Sequence, residues 1–120
     1  METGVIVRWG KLVPGREEKA IALFTETVDY FSKLVVDKKI TYFEPFFFMT
    51  GDIEDELGFF IFKGPDDFIY TLLADEYFLT LQEKALYSVE HFQVDLLTVG
   101  DGISKQLERS AKVRVEYGIV

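Results

Sequence analysis

No cysteine occurs among the 120 residues of this chain, which also has only one histidine, one tryptophan and three prolines. The absence of thiols excludes a disulfide framework, a thiolate nucleophile, a zinc knuckle and a cysteine-ligated iron–sulfur cluster. The sequence also lacks a Gly-x-Ser-x-Gly motif, a phosphate-binding loop and a dinucleotide fingerprint. No spacing of carboxylates predicts a metal site. We therefore expect neither a metal nor another cofactor.

Long apolar runs and an excess of basic charge are missing as well. No apolar stretch approaches the roughly 20 residues of a membrane-spanning helix, and the first residues lack the pattern of a signal peptide. Lysine and arginine number 13 against 21 aspartates and glutamates, a net charge of −8. Such a chain repels the phosphates of nucleic acids and of anionic membranes. The sequence predicts a cytoplasmic protein without a nucleic-acid or membrane partner.

Aromatic residues, by contrast, are abundant. The chain has 12 Phe, 6 Tyr and 1 Trp, or 16% of its residues. Each ring buries about 150–250 Å², whereas a domain of this size hides only about two thirds of its unfolded surface. We therefore expect some rings to face a partner or a ligand. The length fits one domain over 1–120, with a core at about 4–100 and a C-terminal extension at about 101–120.

Hydrophobic periodicity predicts alternating strands and helices. The first strand places Val5, Val7 and Trp9 on one face and Ile6 and Arg8 on the other. In order, the predicted elements are a strand over 4–10, a helix from about 15 to 36, strands over 40–50 and 57–63, a helix over 66–87 and a strand over 92–99. Beyond them, we predict a short helix over 103–109 and an extra, half-exposed strand over 113–117.

This order is the ferredoxin-like βαββαβ arrangement of the α+β class, in which a four-stranded antiparallel sheet carries both helices on one face. An open second face in contact with water would be polar at alternate positions. Instead, the central hairpin is apolar on both faces, with Phe43 and Phe47 on one and Phe46 and Phe48 on the other. We therefore predict that a second copy covers the open face and forms a homodimer.

The register of the central hairpin follows from its turn. Pairing Thr50 with Leu57 places Glu44 opposite Lys63 on the neighbouring strand. Opposite charges in that position favour the pairing.

Over roughly 4–100, the sequence resembles the dimeric α+β barrel superfamily. The resemblance is carried by the element order, the Val7-Arg8-Trp9 strand, the Pro14-Gly15-Arg16-Glu17-Glu18 helix entry and the doubly apolar hairpin. It implies a dimeric barrel with a pocket, like the antibiotic-biosynthesis-monooxygenase-like and stress-responsive members. If the chain is an enzyme, the resemblance suggests that it catalyses cofactor-free oxygenation or a related proton transfer. The haem-degrading subgroup uses Asn, Trp and His, and this chain has no Asn, so that site is not carried over.

Three side chains are candidates for catalysis. Histidine is the residue whose unperturbed pKa lies near neutrality, so His91 is the candidate general base. The structural alternative, which we favour, is a His at the edge of a strand paired with a neighbouring acid. Arg8 and Asp95 lie in the middle of strands that are close in this fold, so they are able to meet on one face. They would form either an ion pair that fixes the dimer register or a site that binds a carboxylate or phenolate.

The excess of aromatic residues points to a ligand. We predict a cavity between sheet and helices that binds a small apolar or aromatic molecule, with Arg8, Trp9, Tyr42 and Phe48 as binding residues. The alternative is a non-enzymatic interaction protein whose aromatic residues serve only oligomerisation and whose tail strand pairs with another chain.

Overall fold

The computed structural model describes residues 1–119. Its elements are β1 (Glu2–Trp9), α1 (Glu17–Val36), β2 (Tyr42–Phe47), β3 (Gly58–Pro65), α2 (Asp66–Leu73), α3 (Glu76–Ser88), β4 (Gln93–Thr98) and α4 (Asp101–Glu116). The strands form one antiparallel sheet in the order β2-β3-β1-β4. The predicted α+β class and the ferredoxin-like arrangement of the sheet are confirmed.

The sheet has a helix-covered face and an open face, and the alternation in β1 decides which residues go where. Val5 and Val7 are buried against the helices, whereas Ile6 and Arg8 lie on the open face at intermediate exposure. The paired β3 repeats this division, because Phe62 lies opposite Val5 and Phe60 lies opposite Val7. The division predicted for β1 from sequence is therefore confirmed.

An aromatic cluster forms the centre of the core, around Phe31 of α1. This ring is completely buried. It stacks on Phe62 at 4.5 Å between ring centroids and on Phe43 at 5.3 Å, and it meets the edge of Phe78 at 5.9 Å. Rings in such offset and edge-to-face contacts add stability beyond the area they bury. Much of the excess of aromatic residues therefore lies inside the domain.

The predicted helix over 66–87 is in fact two helices, α2 and α3. The break lies at Asp75, whose extended backbone ends the first helix and whose carboxylate accepts the backbone N–H groups of Tyr77 and Phe78. A carboxylate at this position satisfies the free donors of a helix N-terminus. The single-helix prediction was wrong because it treated Asp75 as a polar interruption and overlooked its capping role.

The hairpin register also differs from the prediction, by two residues. Phe46 lies opposite Phe59, and Tyr42 lies opposite Lys63. The Phe46 and Phe59 rings stack at 4.8 Å, and the Lys63 ammonium lies 4.5 Å from the centre of the Tyr42 ring. Aromatic stacking and a cation–π contact thus occur where a Glu44–Lys63 ion pair was predicted.

The C-terminal extension is one helix, α4, so the predicted short helix is longer and the predicted strand over 113–117 is wrong. A strand needs a neighbour for its backbone N–H and C=O groups, whereas a helix pairs them internally. Val113 and Val115 therefore lie in a helix, although their alternation with charged residues is typical of a strand. Across residues 1–119, every helix is too short or too polar to cross a membrane.

Three loops meet at the end of β1 and hold that end of the sheet together. The Gly10 N–H donates to the Glu90 carbonyl at 2.7 Å, and the Lys11 N–H donates to the Glu54 carbonyl at 2.7 Å. Gly10 has no room for a side chain, because a Cβ there would lie 2.4 Å from the Glu54 oxygen. This junction places the β2–β3 loop and the α3–β4 loop beside Trp9 and Arg8.

Candidate functional site

An apolar pocket of about 310 Å³ lies between the sheet and helices α1 and α3. Fifteen residues line it: Trp9, Leu12, Ala20, Ile21, Leu23, Phe24, Thr27, Phe47, Leu57, Phe60, Phe78, Leu81, Ala85, Val89 and Phe92. Ala20 and Ala85 come from facing helices and are both buried. Because these two side chains are small, the helices leave space above the sheet that larger residues would fill.

The pocket has almost no polar surface. None of its fifteen lining residues has a titratable side chain. Among them, only Trp9 and Thr27 carry polar side-chain atoms, and the Thr27 hydroxyl donates to the Leu23 carbonyl at 2.7 Å. The Trp9 ring packs against Phe24, Phe47 and Phe60 at centroid distances of 6.0, 5.9 and 5.8 Å. Such a lining favours an uncharged apolar molecule over a polar one.

The structure separates the four residues predicted to bind a ligand. Trp9 lines the apolar pocket, whereas Arg8 follows the alternation of β1 onto the open face. Tyr42 lies under Lys63, and Phe48 packs against Phe59 at 5.6 Å, both on that same open face. The predicted cavity between sheet and helices is present, but of the four residues only Trp9 lines it.

Several lining residues were not predicted from the sequence. Apolar periodicity places Ala20, Phe24 and Leu81 on the apolar faces of their helices, but this pattern does not distinguish residues that line a pocket from residues of the core. The one signal that could have found them is the pair of small residues on inward helix faces, because small residues on facing helices leave space.

The predicted pair of Arg8 and Asp95 is formed on the open face. The Arg8 Nη2 donates to the Asp95 Oδ2 at 2.6 Å, and the Arg8 Nη1 lies 3.7 Å from the Glu56 Oε1. The side chains of Arg8 and Asp95 are 35% and 53% exposed in the single chain. Two carboxylates thus surround one guanidinium.

His91 lies beside this pair, at the loop junction. Its Nε2 is 3.0 Å from the Asp55 Oδ1, so the acid next to it in space comes from the β2–β3 loop. The adjacent Glu90 instead lies 3.8 Å from the Lys11 ammonium. The His91 backbone has a φ of 54°, in the left-handed region. His91 and Arg8 together border a polar cleft of about 340 Å³ whose wall includes Phe92, a residue that also lines the apolar pocket.

The largest shift in pKa lies elsewhere, between α1 and α3. The Tyr77 hydroxyl donates to the Glu26 carboxylate at 2.7 Å, which raises the pKa of Tyr77 to about 12. The same hydrogen bond lowers the pKa of Glu26, and the Lys84 ammonium at 3.2 Å adds to this effect. These groups do not line the apolar pocket. Within residues 1–119, no three or more acidic or histidine side chains are placed to hold a metal ion.

Comparison with known proteins supports the fold through structure alone. No protein-family model matches the sequence, and no curated protein is significantly similar to it. SnoaB, a cofactor-independent oxygenase from Streptomyces nogalater, superposes with a TM-score of 0.59 at 16% identity, covering 82% of this chain and 93% of that one.

Two further solved structures are similar. A dimeric protein of unknown function and ferredoxin-like fold from Bacteroides fragilis has a TM-score of 0.57 at 10% identity, covering 80% of this chain and 94% of that one. A dabb family protein with a ferredoxin-like fold from Mesorhizobium loti has a TM-score of 0.58 at 15% identity, covering 83% of this chain and 100% of that one. The chain therefore has the ferredoxin-like fold found in oxygenase and dabb family structures.

Proposed function

We propose that this chain is a homodimeric α+β barrel protein that binds a small, uncharged apolar or aromatic molecule in the pocket beside Trp9. The observation that carries the proposal is the lining of that pocket, in which no titratable side chain occurs and six of fifteen residues are aromatic. Enclosing a charged group there would cost several kcal/mol without a partner. A neutral ring instead gains both from leaving water and from contact with the aromatic walls.

The volume of the pocket limits the size of its ligand. An apolar cavity of about 150 Å³ accommodates benzene, and this pocket has about twice that volume, at about 310 Å³. It lies at the lower end of the range of about 300–1,000 Å³ for small-molecule sites. A molecule of one or two rings fits this space. Ile21 is 60% exposed at the pocket, which gives the ligand a route to solvent along α1.

The open sheet face supports the homodimer. Its apolar side chains Ile6, Phe46, Phe59 and Ile61 are only half-buried in the single chain. A one-sided antiparallel sheet would carry polar residues at such positions. Two copies packed face to face would remove these side chains from water, with a twofold axis between the sheets. The Bacteroides fragilis structure with this fold is described as dimeric.

A matched pair of substitutions on α1 tests the pocket. Ala20 is buried in the pocket lining, whereas Ala22, two residues along the same helix, is exposed. Ala20→Leu fills part of the cavity, and Ala22→Leu adds the same atoms outside it. We expect 1-naphthol to bind the wild type and Ala22→Leu in isothermal titration calorimetry, and Ala20→Leu to bind at least about tenfold more weakly.

The charged analogue 1-naphthoate provides the second control, because it has the same rings and a carboxylate. Equal binding of naphthol and naphthoate, or equal binding to both alanine variants, would contradict an apolar site beside Trp9. Circular dichroism of each variant checks that the fold persists. Native mass spectrometry of protein purified from its host then identifies the natural ligand as a stoichiometric added mass on a dimer.

Cofactor-free oxygenation is the second candidate, favoured by one contact. Phe92 lines both the apolar pocket and the polar cleft that contains His91 and Arg8, so a phenolic ligand would lie one side chain away from these groups. A base is needed there to deprotonate such a substrate before it reacts with dioxygen. Oxygen consumption with a bound phenol that is lost in His91→Ala or Asp95→Asn, with ligand affinity retained, would support this activity. A dimer without any ligand mass or binding would instead favour a non-enzymatic interaction protein.

A further inference from the structure

Helix α4 is amphipathic, and its apolar side has no partner in the chain. At 100° per residue, Ile103, Leu107, Ala111 and Val115 form one apolar side with Val113 and Tyr117, while the opposite side carries Lys105, Glu108, Arg109, Lys112 and Glu116. None of its residues is buried, and Leu107 and Tyr117 are 65% and 74% exposed. An apolar stripe on a surface helix normally faces a core.

The body of the same chain does not cover this side. The contacts of α4 with the rest of the chain are mainly with β4, where Gly102 lies beside Thr98. The radius of gyration of the Cα atoms is 16.9 Å and the longest dimension is 54 Å. A compact domain of 120 residues has a radius of gyration of about 14 Å. The helix therefore extends from the domain as an arm.

The length of the arm agrees with the part of this chain that the similar structures leave uncovered. The similar structures cover 80–83% of this chain while being covered themselves almost completely. The remainder, roughly a fifth, is about as long as segment 101–119. An isolated helix of about 16 residues is only marginally stable in water. Packing of its apolar side on a partner surface would therefore stabilise the helix.

Charge indicates that this partner is a second copy of the chain. Segment 101–120 contains four of the 13 basic residues and three of the 21 acidic ones, so it carries +1 while 1–100 carries −9. In addition, Arg114 lies in the middle of the apolar side, where it would need a carboxylate on the surface that covers it. The acidic body of another copy supplies such carboxylates in excess, and the same association in both directions closes a twofold dimer.

We infer that α4 is an exchanged arm whose apolar side packs on the body, residues 1–100, of a second copy. The inference rests on the proposed homodimer. Five exposed large side chains of the arm contribute about 100 Å² each, so two arms bury on the order of 1,000 Å² in addition to the sheet faces. Stable interfaces bury about 1,600 Å² in total. The arms thus account for much of the area that a stable dimer requires.

Two substitutions with equal charge change test the arm in the full chain. Leu107→Glu places a charge on the apolar side, and Lys112→Gln changes the net charge by the same amount on the opposite side. In sedimentation equilibrium we expect Leu107→Glu to raise the dimer dissociation constant at least about tenfold and Lys112→Gln to change it less than about threefold. Because Leu107 is exposed in the single chain, a folding defect does not explain a loss of dimer.

The absence of native cysteine allows a direct measurement of contact between copies. A nitroxide on Lys112→Cys, mixed with ¹⁵N-labelled wild-type chains, should broaden amide signals in 1–100 of the labelled chains. A dimer with no such broadening and no effect of Leu107→Glu would overturn the arm while leaving the sheet-face dimer in place. Ile61→Glu tests that dimer separately, and a monomeric wild type would overturn both. Binding of the wild type to phosphatidylserine vesicles that depends on Leu107 would assign the apolar side of α4 to lipid and also overturn the proposal.

Discussion

The guanidinium of Arg8 and the carboxylate of Asp95 lie 2.6 Å apart across the open face of the sheet. They belong to β1 and β4, and they meet diagonally because Arg8 lies directly opposite Gln93. In the single chain this pair is in contact with water, so it contributes little to stability. In a dimer joined through the same face, it would lie within or beside the interface.

This location predicts different effects of Arg8→Ala on folding and on assembly. We expect the free energy of unfolding of the monomer to fall by less than about 1 kcal/mol, because the pair is exposed. Dimerisation should weaken about tenfold or more, because Asp95 is left unpaired at the interface. Urea denaturation and sedimentation equilibrium measure the two quantities. Lys33→Ala, which removes an exposed ion pair between α1 and Asp37 just beyond its end, is the control. An intact dimer with lost ligand binding would instead assign Arg8 to a ligand.

The left-handed backbone of His91 gives a second prediction. This conformation is unfavourable by about 1–2 kcal/mol for a residue with a Cβ, whereas glycine adopts it without this penalty. We therefore expect His91→Gly to be more stable than His91→Ala by about 1 kcal/mol, although both lack the contact with Asp55. Lys38, with a φ of 58°, offers the same glycine-against-alanine comparison far from the polar cleft. Equal stability of the two His91 variants, measured by urea denaturation, would show that the loop relaxes.

The hydrogen bond between Tyr77 and Glu26 predicts a pH dependence with two limits. The pKa of Tyr77 is raised from 10 to about 12, so its contribution to stability is complete below pH 10 and is lost as the pH rises from 10 to 12. The pKa of Glu26 is lowered from 4.5, so its contribution is present above pH 4.5 and is lost as the pH falls through the folded value.

Tyr77→Phe removes the contribution of Tyr77 and the part of the Glu26 contribution that comes from this hydrogen bond, whereas the part that comes from Lys84 remains. We expect it to be less stable than the wild type between about pH 5 and 10, by less than about 1 kcal/mol because both side chains are open to water. The difference should disappear at both extremes of pH. Denaturant unfolding across this range tests the prediction, with Tyr70→Phe, an exposed residue, as the control. A difference that persists at pH 12 would indicate a packing effect of the hydroxyl.

The loop junction predicts that Gly10 tolerates no side chain. A Cβ at this position would lie 2.4 and 2.8 Å from the carbonyl oxygens of Glu54 and Asp55, and three loops depend on this approach. We expect Gly10→Ala to lower the free energy of unfolding by at least about 2 kcal/mol. Gly102→Ala lies in α4, where alanine favours the helix, and it should stay within about 1 kcal/mol of the wild type. Similar stability of both variants would contradict the close junction.

Much of the fold could be predicted because its determinants are local. The two faces of β1 follow from alternation over adjacent residues, and α1 follows from apolar residues three and four positions apart. The break between α2 and α3 also has a local signal, because Asp75 and Glu76 are acids of the kind that begin a helix. The two-residue shift of the hairpin has no such signal, because both registers keep the same residues on the same face.

The ferredoxin-like order of elements and the apolar character of both sheet faces follow from the sequence alone, because each depends on residues close together in the chain. The acidic charge follows from composition. The helical conformation of 113–116, where the sequence predicts a strand, depends on the rest of the chain, since no strand is placed to pair with this segment. The tertiary structure also decided the site. Trp9 lines the pocket, whereas its neighbour Arg8 lies on the opposite face of the sheet. The pocket exists because Ala20 and Ala85, which are far apart in sequence, lie on facing helices. A cavity lies between packed elements, and no local pattern specifies how they pack.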